Sequence, residues 1–441
     1  MGSRMLRSRR FAWVVLAIAL MLRVGVVLIA FANEQSFNGD SIYYMRIARQ
    51  PIDALGNADL TSSGPLYPLF LVPFFNLIPD TAPLAQVTAA RLAQAAIDTA
   101  TVWLVYAIAR DLFGERVGRV ALVAQALDVR YMFVAGIIAT ETLFIALFAW
   151  FMLLYLRAAA GEKSGPYRAA GAVFGLAVLT RPVPLLFPVL LGVHAWFQRG
   201  KRRQALRGVA WLVGMMLLTI TPWVVRTALV TGELIPIADT AFSQFWANSR
   251  NDGREIGGAL YEEAVRDEIG TESVGTTTGD DYVAAGLNNV LGAPLKWLGR
   301  IALDTLRAYA QPYGTVPLIG PTGTSVWGTL RDVLAGQAAI GDLLAIPGLG
   351  RRGLMYLLHF WGLLFGVAGL VIAVREVGWR VFPLPAWIVY ATGVQAALLI
   401  EARYLFPVMF AFTILAARAS LSAWQAVFRP SKALSLDEEP A

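Results

Sequence analysis

Apolar residues in this chain fall into long runs divided by short polar connections. A run of about 18–25 apolar residues can cross a bilayer as a helix. That length predicts spans near 11–32, 86–109, 118–136, 140–156, 169–181, 183–198, 208–229, 354–374, 381–399 and 404–424. The expected fold is an all-α polytopic membrane protein with about ten transmembrane helices and with juxtamembrane helices and loops outside them. Runs three to six are short or crowded, so their ends are the least defined. Two long segments, 33–85 and 230–353, interrupt the pattern, the second rich in Gly, Thr, Asp and Glu. Within it, residues 287–310 have a helical period and one apolar face, which predicts a helix lying at the membrane interface. The polar tail 430–441 is expected to be disordered. The organisation expected is a transmembrane module over 1–229 that includes the outer loop 33–85, a loop region over 230–353, C-terminal helices over 354–428 and a cytoplasmic tail over 429–441.

Basic residues give the spans a direction. Arg4, Arg7, Arg9 and Arg10 precede the first run. Further clusters are Arg110/Arg116/Arg119, Arg157/Lys163/Arg168, Arg199/Lys201/Arg202/Arg203/Arg207 and Arg375/Arg380. Each falls after an even number of spans, while the alternate short connections are poorer in Lys and Arg. Positive residues concentrate on the cytoplasmic side of membrane proteins, so both termini are expected there. Ala30-Phe31-Ala32 resembles a signal-peptide cleavage site. The apolar stretch before it is longer than a usual signal core and is interrupted by Arg23, so an uncleaved first span is the expectation.

Composition narrows the function. Of 441 residues, 57% are apolar or aromatic and only 15% are charged. Soluble domains carry about 25% charged residues. With a mean hydropathy of +0.58, a disordered protein, a nucleic-acid-binding arm and an ordinary cytosolic enzyme are excluded. The charge is 37 − 30 = +7, an excess explained by the basic loops. With no cysteine and only two histidines, disulfides, a cysteine nucleophile and multi-histidine zinc or di-iron sites are excluded.

The candidate chemistry gathers on the outer side. Asp40, in Asn38-Gly39-Asp40-Ser41-Ile42-Tyr43-Tyr44, comes just after the first span. A carboxylate beside aromatics at a membrane surface can serve as a general base. The competing reading is a helix cap. Glu141 stands at the outer entry of the fourth span, where it either offsets the helix dipole or works in a site. Asp128, Arg130 and Tyr131 share that face. Arg130, Arg181, Arg226 and Arg403 are outer arginines against the positive-inside bias, which an anionic ligand such as a lipid phosphate would explain. The competing reading is snorkelling to lipid headgroups. Arg23 and Asp98 lie deep in the first two spans and are expected to pair structurally. Gly348-Leu349-Gly350-Arg351-Arg352-Gly353 matches the dinucleotide-binding pattern but lacks a strand–helix–strand context, so it is read as a juxtamembrane turn.

Seven short motifs, in order, carry a resemblance. They are GDSIYY at 39–44, GPLYPLF at 64–70, TETLF at 140–144, LTRPVPLLFP at 179–188, PWVVRTALVTGELIP at 222–236, FWAN at 245–248 and EARYLFP at 401–407. Each is degenerate alone. Together the chain resembles the GT-C superfamily of polyprenyl-phosphate-sugar-dependent glycosyltransferases, most of all the bacterial branch related to protein O-mannosyltransferases and lipid A aminoarabinose transferases. Relatives often carry Asp-Glu in the first loop where this chain has Asp40-Ser41.

The resemblance implies transfer of a monosaccharide, with inversion, from a polyprenyl-phosphate-linked donor to an extracytoplasmic acceptor that is a glycan, a lipid or a protein. It implies a bacterial inner-membrane location, an active site facing the periplasm and contact with membrane lipids, and no nucleic-acid partner. Asp40 and Glu141 would be the catalytic carboxylates. Arg403, Tyr404, Arg226 and Arg130 would hold the donor phosphate. Tyr44, Tyr67, Trp246 and Asn248 would line the substrate pocket. No cofactor is expected, and a divalent cation would have only oxygen ligands such as Asp40 and Glu141. The alternative classes are a polytopic transporter or lipid flippase, which usually shows two related halves, and a non-catalytic membrane subunit.

Overall fold

A computed structural model describes residues 2–32, 39–161, 165–233, 235, 237–238, 240–250, 259–270, 277–313, 326–346 and 348–428. Asn38 and the tail 430–441 lie outside them. The secondary structure of the described residues is helical, without strands. Six helices are long and apolar enough to cross a membrane: Arg10–Ala30, Pro83–Phe113, Glu141–Ala160, Arg202–Thr231, Arg352–Val381 and Ala402–Phe428. The protein is therefore a multi-pass membrane protein.

The other four expected spans are shorter helices. The run 118–136 is broken into α6 (Glu115–Leu127) and α7 (Val129–Val134). Asp128 causes the break, because its side chain accepts from the Arg130 amide and caps α7. The runs 169–181, 183–198 and 381–399 become α9 (Gly165–Thr180), a 3₁₀ turn with α10 (Pro188–Trp196), and α19 (Pro383–Leu398). Pro182, Pro184, Pro188 and Pro383 set these boundaries, since proline cannot donate within a helix but suits its first turn.

The remaining elements obey the same local rules. Helix α1 is Gly2–Ala30, and α2 is Gly39–Arg49. Helices α3 (Pro51–Gly56) and α4 (Leu66–Leu77) come next. Helix α5 (Pro83–Phe113) opens on a proline, ends at Gly114 with φ 88°, and packs beside α8 (Glu141–Ala160) and α1. Helix α11 (Arg202–Thr231) stops at left-handed Gly232. The long segment between α11 and the next span holds α12 (Thr240–Ser249), α13 (Ala259–Ile269), α14 (Gly279–Gly292), α15 (Pro294–Ala310), α16 (Val326–Leu334) and α17 (Ile340–Leu344). The single interfacial helix expected over 287–310 is thus two, because Pro294 starts a new one. Last come α18 (Leu349–Val377), α19, and a bent span made of α20 (Ala402–Leu405), a 3₁₀ turn and α21 (Met409–Phe428). The glycine-rich stretch 348–353 is the entry to α18, with Gly348 at its N-cap.

The core is aromatic and lies where α8, α9, α19 and α21 meet. Phe148 stacks on Trp387 with ring centroids 3.9 Å apart, and Phe151 sits 4.4 Å from Phe174. Close helix approach is set by small residues. Gly369 on α18 faces the Leu415 carbonyl of α21 with no room for a Cβ. Arg23 donates to Asp98 at 2.5 Å, and its other nitrogens reach the carbonyls of Ala19, Gln125 and Ala126. This is the structural pair expected, and every arm of the guanidinium is engaged.

Candidate active site

Neighbouring ends of four elements carry the site. Asp40 lies in the first turn of α2, and Glu141 is the first residue of α8. Arg181 comes directly after the end of α9, and Arg403 is in α20 at the mouth of the last span. Arg403 Nη1 donates to Asp40 Oδ2 at 2.6 Å, and its Nε donates to Glu141 Oε1. Arg181 Nη2 donates to that same Glu141 oxygen at 3.1 Å. Two cations thus converge on one fully buried carboxylate, which without them would be very costly to desolvate. Glu141 Oε2 is buried and has no hydrogen-bond partner in this arrangement. The Asp40 side chain is 49% exposed, against 0% for Glu141. Of the two carboxylates, only Asp40 can be reached from water.

Asp40, Arg181 and Arg403 line a cavity of about 600 Å³. Its walls include Tyr43, Tyr44, Thr180, Gln395 and Tyr404. Tyr404 presents its ring to the Arg181 guanidinium at 5.7 Å. Burial, with the Asp40 charge beside it, pushes the Tyr44 phenol well above its ordinary range, so Tyr44 can donate a hydrogen bond but not take a proton. Burial and Glu141 do the same to Tyr313.

Local packing explains why these ends meet. Gly64 lies against the end of α9, and a Cβ there would overlap the Leu179 carbonyl and come within 2.6 Å of that of Thr180. Only glycine lets the 62–65 loop line the cavity beside Arg181. Tyr390 Oη donates to the Val183 carbonyl at 2.7 Å and fixes the turn after Pro182. Ser41 Oγ donates to the Ile138 carbonyl at 2.8 Å and ties α2 to the segment before Glu141.

The structure brings together Asp40, Glu141, Arg403, Tyr404 and Tyr44. Tyr67 lies behind them: it stacks edgewise on Tyr44 with centroids 5.0 Å apart and donates to Gln94 at 2.6 Å. Arg130 is elsewhere, buried against both Asp128 oxygens and His359. Arg226 donates to the carbonyls of Ala54, Leu55 and Asn57, so it anchors the end of α3. Trp246 is buried in the long segment after α11 with Nε1 on Glu268, and Asn248 donates to the carbonyls of Ala396 and Ala397. None of these four lines the cavity; backbone carbonyls and nearby acids engage most of their polar atoms, while Arg226 Nη1 stays buried without a partner. Arg181, one of the arginines that a lipid phosphate would explain, is missing from the phosphate ligands that the resemblance implies, although it sits in the 179–188 motif and reaches Glu141. Among the described residues, no group of three or more His, Asp or Glu is arranged to hold a metal.

Comparison with known proteins agrees in fold. Residues 63–225 match the family model described as dolichyl-phosphate-mannose-protein mannosyltransferase. The chain superposes on the apo oligosaccharyltransferase of Archaeoglobus fulgidus with a TM-score of 0.55 and 15% identity, covering 95% of this chain and 51% of that one. The same enzyme tethered to an acceptor peptide gives 0.51 and 14%, over 95% and 51%. ArnT from Cupriavidus metallidurans, bound to undecaprenyl phosphate, gives a looser 0.39 at 16% identity, over 93% and 77%. No curated protein matches the sequence. The chain spans about half the length of the archaeal enzyme whose fold it shares.

Proposed function

Starting from a GT-C fold, we propose that the protein is a membrane glycosyltransferase that moves a monosaccharide from a polyprenyl-phosphate-linked donor to an acceptor outside the cytoplasm. The observation that carries this reading is the Asp40–Arg403–Glu141–Arg181 cluster, on the face opposite the basic loops. The basic-loop bias supports an orientation with this face away from the cytoplasm, which in a bacterial inner membrane is the periplasmic side. The matched family description supports a polyprenyl-type phosphate carrier.

Each residue then has a chemical task. The donor's reacting carbon carries a phosphate leaving group. An acceptor hydroxyl attacks that carbon, its proton passes to Asp40, and the carbon–oxygen bond to phosphate breaks with its electron pair on the phosphate. A single displacement with one base inverts the anomeric carbon. The transition state is oxocarbenium-like. Negative charge grows on the phosphate as the bond breaks, and Arg403 and Arg181 are fixed cations that can meet it. Glu141 holds both guanidinium groups in place, so they need no reorganisation. The half-exposed Asp40 accepts the proton from the aqueous side.

The test uses purified protein in detergent with a polyprenyl-phosphate sugar and reads release of free polyprenyl phosphate. Asp40→Asn keeps shape and most hydrogen bonds but cannot take the proton, so release should fall by about 10²–10⁴-fold while donor binding persists. Activity within a few-fold of the parent would remove Asp40 from catalysis. A transporter or flippase would release none with either protein.

A further inference from the structure

A second cavity, of about 1210 Å³, opens at the far end of the same helices. It lies between the last turns of α5 and α8, the end of α10 and the α18–α19 connection. Helix α8 starts at Glu141 and contributes Leu156 and Arg157 to this cavity near its other end. Twenty residues of helix span about 30 Å, so the cavity belongs to the opposite membrane face.

Its chemistry is a basic rim over an apolar floor. Arg157, Arg199, Lys201 and Arg380 line it, with Asp111 as the acid among them. Asp111 is already engaged by Arg157 at 2.7 Å and by Arg110 at 2.9 Å. Among the described residues, no carboxylate pairs with Arg199 or Arg380. Leu112, Leu156, Phe197 and Trp379 supply the apolar wall. Phe197 is 60% exposed and Trp379 39% exposed, beside Trp196 at 51%. Aromatic side chains open at one depth mark the headgroup level of a bilayer. The wall is also rigid: Trp379 Nε1 donates to the His194 carbonyl at 2.9 Å, and His194 Nε2 lies 3.1 Å from the Trp379 carbonyl. His194 Nδ1 is held in turn by Tyr155 Oη at 2.6 Å.

We propose that this cavity is a binding site for an anionic phospholipid of the leaflet on the basic side. The phosphodiester sits between Arg199 and Arg380, and an acyl chain runs along Leu112, Leu156 and Phe197. A basic pocket between spans at a membrane surface recognises a lipid phosphate by charge, and the apolar wall separates a lipid from a free anion. The inference is independent of the sugar chemistry on the other face.

The purified protein in detergent is offered phosphatidylglycerol and phosphatidylcholine in equal amounts, and retained lipid is read by native mass spectrometry. Phosphatidylglycerol should be retained in preference, and inorganic phosphate at millimolar concentration should not displace it. Each basic residue near an anionic headgroup is worth roughly a factor of five, so R199A/R380A together should weaken retention about thirtyfold. Both side chains are exposed. Arg199→Glu, a single exposed change, should weaken it as well. Arg168→Ala removes a cation that stacks on Trp211 outside the cavity and should leave retention unchanged. Equal retention of both lipids, or unchanged retention in R199A/R380A, overturns the proposal. Displacement by inorganic phosphate assigns the cavity to a free anion instead and overturns it too.

Discussion

Arg403 makes the decisive contacts, because it touches both acids of the site. Arg403→Ala should lower turnover as well as donor binding, with a loss of about 2–4 kcal/mol of transition-state stabilisation. Arg403→Lys should recover only part of this, since a point charge cannot reach both carboxylates as a planar fork does. Arg181→Ala should act in the same direction, and kcat and KM for a lipid-linked donor would measure both. Normal turnover in Arg403→Ala would remove it from the site. Much of this cluster was legible in the sequence, because Glu141 and Arg403 each sit where a charge needs a reason and Asp40 stands beside Tyr43 and Tyr44 just past the first span. Arg226 and Arg130 met the same criterion and satisfy it differently. A carbonyl far away in the chain, or an acid two residues back that bends it, leaves no local mark that an arginine belongs to structure.

At the level of elements, the long apolar helices were readable from run length, while the short ones were not. Whether a 16-residue helix such as α9 continues depends on the residues just beyond its end, and Pro182 stops this one. Two contacts between elements give tests. Arg23→Ala strands the buried Asp98 carboxylate and should cost about 3–5 kcal/mol, seen as a lower unfolding temperature in detergent. Arg23→Met with Asp98→Leu should restore most of that loss, because no charge is left to bury. Gly64→Ala forces a Cβ into the carbonyls that end α9. Either the loop or Arg181 must move, and a displacement of about 1 Å in a positioning group can cost roughly 10²-fold in rate. The variant should fold and bind detergent as the parent does, yet transfer sugar slowly. Unchanged transfer would mean the contact does not position the site.

For the whole molecule, orientation is the first thing to check, and a chain without cysteine makes the check clean. Cysteine placed at exposed Ser62 or Asp280 should react with an impermeant maleimide from outside the cell. Cysteine at Arg203 should react only after the cytoplasmic side is opened, and the reverse pattern would invert the proposed topology. The apolar face of 287–310 was visible in its period, and α15 with the end of α14 leaves Leu291, Leu295, Leu298 and Leu306 exposed. The separation of α15 from α14 was not visible until Pro294 was seen to start a helix. The ion pair between Asp40 and Arg403 joins residues 363 positions apart. A ribosome therefore finishes α2 long before the partner of its carboxylate exists. Glu141 enters the membrane well before that same last span is made. Chains truncated after residue 141 but before residue 403 would carry both acids and no bridge between them. Such fragments should be short-lived and silent in transfer, and catalytic competence should arise only as the final helix is threaded into place.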